Sequence, residues 1–189
     1  CVAITHPEQN ANGLEASGMD VLRILPWGMQ SAFAKTRPGY DAETALFNAA
    51  AVLGEKLTAC RLRQIADVVH YLDEQNGYER VVFVGQGPGA LLALLAAALL
   101  PKARGAALLE TQLSFEADYY FAPETAFETG LLRLCDLPDL AKLAGRVCAF
   151  TPKNPAGGSL APHTPTPIPA HWEKDALSAA AEWLEDKLC

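Results

Sequence analysis

The sequence predicts a single α/β domain: a three-layer αβα sandwich around a mostly parallel sheet of about five strands. Short apolar segments with strand character alternate with longer segments of helical periodicity along the chain. The apolar runs are nearly continuous, which is typical of strands buried on both faces of a parallel sheet. With 189 residues, half of them hydrophobic, the chain is long enough to form one such core.

Five segments are short, apolar and bounded by Gly, Pro or polar residues, and each is expected to form a strand. In chain order they are residues 1–5, 19–25, 79–84, 104–110 and 145–150. Ligands of parallel α/β sheets bind at the carboxyl ends of the strands. Two stretches without a regular pattern, residues 30–40 and 152–169, are expected to be loops over that edge.

Helical periodicity fills the intervals between the strands. Apolar residues from Leu46 to Leu72 recur at mostly three- and four-residue steps, and Gly54 is expected to divide this stretch into two helices. Further helices are predicted over residues 90–100, over 138–143 and from about Trp172 onward. The last helix should pack one apolar face onto the sheet.

Composition and charge exclude several classes of partner. The formal net charge of -7 and the absence of a Lys/Arg cluster argue against nucleic acid, since phosphate binding requires concentrated positive charge. The apolar run Ala90–Leu100 is much shorter than the roughly 20 residues of a membrane span. We therefore expect a neutral or small ligand as partner, and the oligomeric state stays open.

The cysteines give no sign of a metal site, because none forms a CxxC pair or has a His at ligand spacing. We interpret them mostly as buried thiols, with the disulfide state open; they are Cys1, Cys60, Cys135, Cys148 and Cys189. The chain begins at Cys1 without a signal peptide and runs directly into an apolar segment. We expect it to be part of a longer protein.

The glycine-rich turn VGQGPGA lies between a predicted strand and a predicted helix and admits a dinucleotide-binding interpretation. Gly85, Gly87 and Ala90 satisfy GxGxx[G/A], and Glu110 ends the following strand, where a ribose-binding acid is expected. GQGP is also similar to the GxGP turn of flavin-binding enzymes. Against an FAD or NAD site, the turn follows about eighty residues with their own strands and helices, and a second flavin-type contact is absent.

The same turn also fits the nucleophile elbow GxSxG of a hydrolase. Gly85 to Gly89 match the pattern at every position except that of the nucleophile, where Gly87 stands. The flanking glycines allow close approach of the backbones, and glycine adopts the strained central conformation at little cost.

The wider chain favours the second interpretation. The segments LFNAAAVLG, LRQIADVVHYLDE, VVFVGQGPGALLALLAAAL, FETGLLRLCDLPDLAKLAG and RVCAF occur in this order. Over most of residues 40–150 they resemble the α/β-hydrolase domain of bacterial acetyl xylan esterase-like and dienelactone hydrolase-like proteins. The resemblance implies the sheet order 2-1-3-4-5, with the first two strands of the family absent. It also implies a small-molecule or carbohydrate ligand, and it favours a secreted or periplasmic location.

The resemblance also implies a Ser–acid–His triad, which we checked part by part. Gly87 has no side chain for an acyl-enzyme, and Pro88 has no N–H where one oxyanion donor is expected. No Asp or Glu occurs from Leu140 through Trp172, where the family places its acid. Glu110 is the candidate substitute, and His163 and His171 are the candidate bases, each with a surface role as its alternative.

No replacement nucleophile is evident. Ser114 and Ser159 stand in no activating turn, Cys148 lies in a predicted buried strand, and His70 is interpreted as structural. Four aromatic residues after the fourth strand either shape a ligand cleft or form a partly buried cap; they are Phe115, Tyr119, Tyr120 and Phe121.

We therefore predict a degenerate, noncatalytic hydrolase-like domain that binds or scaffolds, without a cofactor. Two alternatives stay open: an esterase with an unrecognised nucleophile or a metal-bound water, and an FAD- or NAD-binding domain. The predicted ligand cleft combines residues that follow strand ends with the glycine turn and the candidate bases. Its members are His6, Gly85, Gln86, Gly87, Glu110, Tyr119 and His163.

Overall fold

The structure is a computed structural model that describes residues 2–4, 14, 19–27, 29, 42–78, 80–114, 134–154, 158–162, 164–172 and 175–188. The strands in this part of the chain are β1 (Val2–Ile4), β2 (Leu22–Ile24), β3 (Val81–Gln86), β4 (Ala103–Leu109), β5 (Arg146–Phe150) and β6 (Ala170–His171). The helices are α1 (Ala42–Val52), α2 (Leu57–Asn76), α3 (Pro88–Leu99), α4 (Leu137–Ala144) and α5 (Ala176–Leu188).

The strands form one parallel sheet in the order β2-β1-β3-β4-β5-β6. The expected α/β class and the order of the first five strands are confirmed. The expectation of about five strands missed β6, which pairs through only two residues, Ala149↔Ala170 and Phe150↔His171. A two-residue strand within a proline-rich stretch has no sequence pattern by which it can be recognised.

Helices pack on both faces of the sheet. On one face, buried residues of α2, α3 and α4 join Phe83, Ala106 and Val147 in one apolar cluster. On the other face, Ala180 and Leu184 of α5 pack against Val84 and alternate residues of the neighbouring strands. The predicted three-layer arrangement is therefore present, and it leaves the strand ends as the accessible parts of the sheet.

Helix α3 contains the Ala/Leu run, and its burial accounts for the apolar composition. Nine of its residues, from Gly89 to Ala97, are buried, because the helix packs across β3 and β4 and also contacts α2 and α4. Small alanines allow close packing while the leucines fill the space between the layers. In the part of the chain that the structure covers, no helix combines the length and apolarity needed to cross a membrane.

The predicted division of the long helical stretch is confirmed. Gly54, with a φ of 73°, lies between α1 and α2, and left-handed backbone is the usual end of a helix at glycine. Because α2 leads into β3, its first turn lies at the carboxyl edge of the sheet and its last turn at the amino edge.

The direction in which successive strands are added to the sheet reverses between β1 and β3. The chain places β2 on one side of β1 and then places β3, β4 and β5 successively on the other side. In sheets of this kind the crevice for ligands lies outside the carboxyl ends of the strands at the reversal. Here that position is beyond Ile4 and Gln86, directly at the glycine turn.

Candidate functional site

The glycine turn has the backbone geometry of a sharp strand-to-helix corner. Gly87 follows β3 with a φ of 53° and a ψ of -122°, and α3 begins at the next residue, Pro88. This backbone conformation strongly favours glycine. A Cβ built on Gly87 would have no heavy atom of the described residues within 4 Å. Within the described part of the chain, the turn therefore leaves room at the carboxyl edge for the side chain that a nucleophile elbow carries there.

Gly85 supports this corner through close packing. A Cβ there would lie 2.6 Å from the carbonyl carbon of Gly89 and 2.7 Å from the Cα of Ala90. Real Cβ atoms are not found so close to backbone, so any side chain at residue 85 would push β3 and α3 apart. The predicted reason for a flanking glycine, close backbone approach, is confirmed at Gly85.

Three neighbouring strands end in the same way. Gly87, Glu110 and Thr151 directly follow β3, β4 and β5, and their φ values are 53°, 49° and 50°. The N–H of each donates to the next strand: Gly87 to Leu109 O at 2.9 Å, Glu110 to Phe150 O at 2.9 Å and Thr151 to His171 O at 2.8 Å. For non-glycine residues a left-handed φ is strained and is found most often at functional sites.

Glu110 lies beside the turn, as predicted, and its partner is a lysine. Its carboxylate oxygen is 3.9 Å from the Lys153 ammonium, and the side chains are 41% and 30% exposed. The backbone N–H of Lys153 donates to Thr111 O at 2.9 Å, which fixes the lysine next to the end of β4. The candidate acid is therefore charge-compensated by a cation from the loop after β5.

His171 is the one candidate base that the described residues include. It ends β6 rather than lying in a loop, and its ring stacks on Phe150 with 5.5 Å between centroids and 15° between planes. Strands β4 and β6 are separated by β5, so the backbones of Glu110 and His171 are about 10 Å apart. The structure thus does not bring this acid and this base together as a pair.

Several predicted residues fall outside the described part of the chain. His6, Tyr119 and His163 are among them, together with the other aromatic residues of the segment after β4, Phe115, Tyr120 and Phe121. Their roles stay predictions. Gln86 is the last residue of β3 and is partly exposed beside Gly87.

Ser114 has a structural partner. Its hydroxyl donates to the carboxylate of Asp136, which is 8% exposed and is the N-cap of α4. The N–H of Asp136 donates in turn to the Asp139 carboxylate at 3.2 Å, completing a capping box. This backbone hydrogen bond, with a smaller contribution from Lys142, lowers the pKa of Asp139. Ser114 therefore helps to anchor the start of a helix.

Replacing Asp136 tests this anchoring. Asp136→Ala removes a helix cap and the acceptor of a partly buried hydroxyl, so we expect a loss of about 2 kcal/mol in the free energy of unfolding. Urea denaturation followed by circular dichroism measures it. Ser159→Ala, at an exposed serine, is the control and should change stability by less than about 0.5 kcal/mol. Equal stabilities of the two variants would show that the cap contributes nothing.

Cys148 is an inert thiol, as the sequence predicts. It is 1% exposed, and burial raises its pKa to about 12. The thiolate is the reactive form of cysteine. We therefore expect a thiol reagent at pH 8 to modify the native chain and Cys148→Ala with the same stoichiometry. Loss of one rapidly reacting thiol in Cys148→Ala would show that the strand opens or that the thiolate forms.

His70 departs from its sequence interpretation as a structural residue. It lies on α2 with its side chain 72% exposed, 3.2 Å from Glu74. It is a surface residue on the solvent side of α2, paired one helical turn along the same helix.

The nucleotide interpretation of the turn receives little support from its hydrogen bonds. A pyrophosphate needs free N–H groups at the start of the helix. Pro88 has none, the Gly87 N–H donates to Leu109 O, and the Ala90 N–H donates to Gly87 O at 3.0 Å. Glu110, the candidate ribose acid, already faces Lys153.

Among the described residues, no group of three His, Cys, Asp or Glu side chains is arranged to hold a metal ion.

Comparisons with known proteins add no relative. No family model, curated protein or solved structure matched the chain.

The sequence reasoning missed Lys153 and Thr151. Both follow β5, where the family resemblance implies an Asp or Glu and not a lysine. The available signal was a lysine three residues after a buried strand.

Proposed function

We propose that this chain is an α/β-hydrolase-like domain that has no catalytic nucleophile and acts by binding or scaffolding. The observation that carries the proposal is the corner at Gly87. It combines a strand, a left-handed central residue and a helix, with open space where a side chain would project. A nucleophile elbow needs this backbone, whereas the reaction needs the side chain that glycine lacks.

The oxyanion site is also incomplete. In an elbow one N–H donor comes from the residue after the nucleophile, and here Pro88 cannot donate. Proline at the first helical position instead stabilises the start of α3, because its φ suits a helix and that N–H has no partner within the helix. These two adjacent substitutions retain the architecture of the corner and remove two of its chemical groups.

The acid and base positions fit the same conclusion. A triad needs a carboxylate that orients the histidine and stabilises its protonated form. Glu110 is compensated by Lys153, and the described histidine, His171, is stacked on Phe150 two strands away. In the described residues the Glu110 carboxylate thus pairs with a lysine and not with a histidine that it could orient.

The proposed ligand is a small molecule or carbohydrate bound at the reversal of the sheet. Gln86 directly precedes Gly87, and the Glu110–Lys153 pair follows the neighbouring strand at the same edge, so an amide, a carboxylate and an ammonium are available there. Such groups hydrogen-bond sugar hydroxyls. His6 and Tyr119, from the sequence prediction, would complete this cleft.

Reaction with a fluorophosphonate probe tests the absence of the nucleophile. We expect intact-mass spectrometry to find the native chain unmodified, because no activated hydroxyl is available. Gly87→Ser combined with Pro88→Ala restores the hydroxyl and the N–H, and it should acquire one adduct, with His163, the other candidate base, activating the new hydroxyl. The matched control, Gly87→Ala with Pro88→Ala, should acquire none. An adduct on the native chain, mapped to any serine, would overturn the proposal.

Titration with xylo-oligosaccharides tests the binding role. Amide resonances of Gln86, Gly87 and Glu110 should shift in a two-dimensional NMR spectrum. Glu110→Gln should weaken binding about threefold or more, because a hydrogen bond from the ligand to a charged acceptor is lost. Glu182→Gln, at an exposed position on α5, is the control. Identical affinities of the two variants would show that Glu110 does not contact the ligand.

A further inference from the structure

A cavity lies at the amino edge of the sheet, opposite the glycine corner. It has a volume of about 230 Å³ and is lined by Asp20, Val21, Leu22, Leu72, Tyr78, Arg80 and Val81. These residues come from the start of β2, the start of β3 and the last turns of α2. The glycine corner lies at the carboxyl end of β3, so the cavity is separate from the site proposed above.

The end of α2 positions one wall of this cavity. The helix ends at Gly77, whose φ is 63° and whose N–H donates to Asp73 O at 3.0 Å. Tyr78 follows directly. Its carbonyl oxygen is 3.4 Å from the Lys102 ammonium, which also pairs with the Asp73 carboxylate. The backbone of Tyr78 is thus positioned by the helix end at Gly77 and by the contact with Lys102, and its ring lines the cavity.

Tyr78 then connects two distant segments. Its hydroxyl donates to the Asp20 carboxylate at 3.0 Å, although 58 positions separate the residues. Because β1 lies between β2 and β3 in the sheet, this hydrogen bond spans the amino end of β1. Asp20, as hydrogen-bond acceptor, raises the pKa of Tyr78, so the hydroxyl remains a donor to Asp20 throughout the neutral range.

The residues that line the cavity are of two kinds, apolar and charged. Leu22, Leu72 and Val81 form an apolar wall that is continuous with the main core. The rim carries one carboxylate, Asp20, and one guanidinium, Arg80, and both residues are exposed. Within the part of the chain that the structure describes, the Arg80 guanidinium has no ion-pair or hydrogen-bond partner.

We propose that this cavity binds a small zwitterion with an apolar body, of the size of an aliphatic α-amino acid. Arg80 would bind the carboxylate of the ligand, Asp20 its ammonium group, and Leu22, Leu72 and Val81 its hydrocarbon part. A cavity of about 150 Å³ is enough to hold benzene, so about 230 Å³ suits a branched aliphatic side chain together with its head group. Opposite charges at the rim favour a zwitterion over an ion of either sign.

Three related ligands test the proposal on the native chain. L-Leucine has both charged groups, isocaproate lacks the ammonium and isopentylamine lacks the carboxylate. We expect leucine to shift the NMR resonances of Leu72, Tyr78 and Val81 and to bind more tightly than either analogue. No shift of these resonances at millimolar leucine, or isocaproate binding as tightly as leucine, would overturn the proposal.

Two arginine substitutions separate this site from a general charge effect. Arg80→Gln should weaken leucine binding about two- to fivefold, the range for one exposed ion pair, and should leave isopentylamine binding unchanged. Arg146→Gln, at an exposed arginine that begins β5 at the same edge, should leave leucine binding as in the native chain. Equal effects of the two substitutions on leucine binding would also contradict the proposal. Both residues are exposed, so neither change should affect folding.

Discussion

Gly85→Ala should destabilise the protein by about 3 kcal/mol or more, because overpacking against backbone cannot be relieved by a side-chain rotation. The added Cβ would lie 2.6 Å from the carbonyl carbon of Gly89 and 2.7 Å from the Cα of Ala90. Either β3 or α3 would have to move, and both lie in the centre of the fold. Urea unfolding followed by tryptophan fluorescence and circular dichroism measures the loss.

Gly54→Ala is the matched control for this substitution. Gly54, unlike Gly85, has a left-handed backbone, but a Cβ there would have no heavy atom of the described residues within 4 Å. Its cost should be about 1 kcal/mol, from backbone strain alone. If Gly85→Ala were no more destabilising than Gly54→Ala, the close approach of strand and helix at the corner would be refuted.

Phe150→Ala should cost about 3 to 5 kcal/mol, the usual range for a buried phenylalanine. Phe150 is 1% exposed. Its ring stacks on His171 and meets the edge of Trp183, with 6.2 Å between centroids and 70° between planes. The substitution leaves a cavity between β5 and α5 and removes the contact that holds the imidazole.

Leu143→Ala is the control for Phe150→Ala, since Leu143 is 69% exposed and its truncation should cost less than about 0.5 kcal/mol. A second measurement addresses the histidine. The NMR chemical shifts of the His171 ring should lose the ring-current contribution of Phe150 in the variant. Similar stabilities of the two variants would contradict the buried position of Phe150.

The central strands could be predicted because burial on both faces leaves a continuous apolar run. Val81 to Val84 and Ala106 to Leu109 are buried without alternation, and the sequence shows the same run. The ends of the strands were less certain. Gln86 pairs with Leu109 through the backbone, and such pairing depends on the neighbouring strand rather than on the side chain.

The candidate site could be predicted only in part. Pattern alone located Gly87, Pro88 and Glu110, because turn chemistry is local and a strand end is visible in the sequence. The Glu110–Lys153 pair depends on the left-handed backbone at Glu110 and on the path of the chain after Thr151. Those features result from tertiary pairing between β4 and β5.

The amino-edge cavity could not be predicted. Its lining includes Tyr78 and Asp20, which are hydrogen-bonded across 58 positions, and no local pattern indicates such a contact. The glycine corner, in contrast, is formed by consecutive residues and is visible as a motif.

Turnover of p-nitrophenyl acetate and of acetylated xylan tests the central claim most directly. The native chain should release no product above the buffer rate. Gly87→Ser with Pro88→Ala should show measurable hydrolysis, and a further His163→Ala, at the other candidate base, should abolish it. Turnover by the native chain that Gly87→Ala leaves unchanged would contradict the account, because the reaction would then proceed at a nucleophile elsewhere.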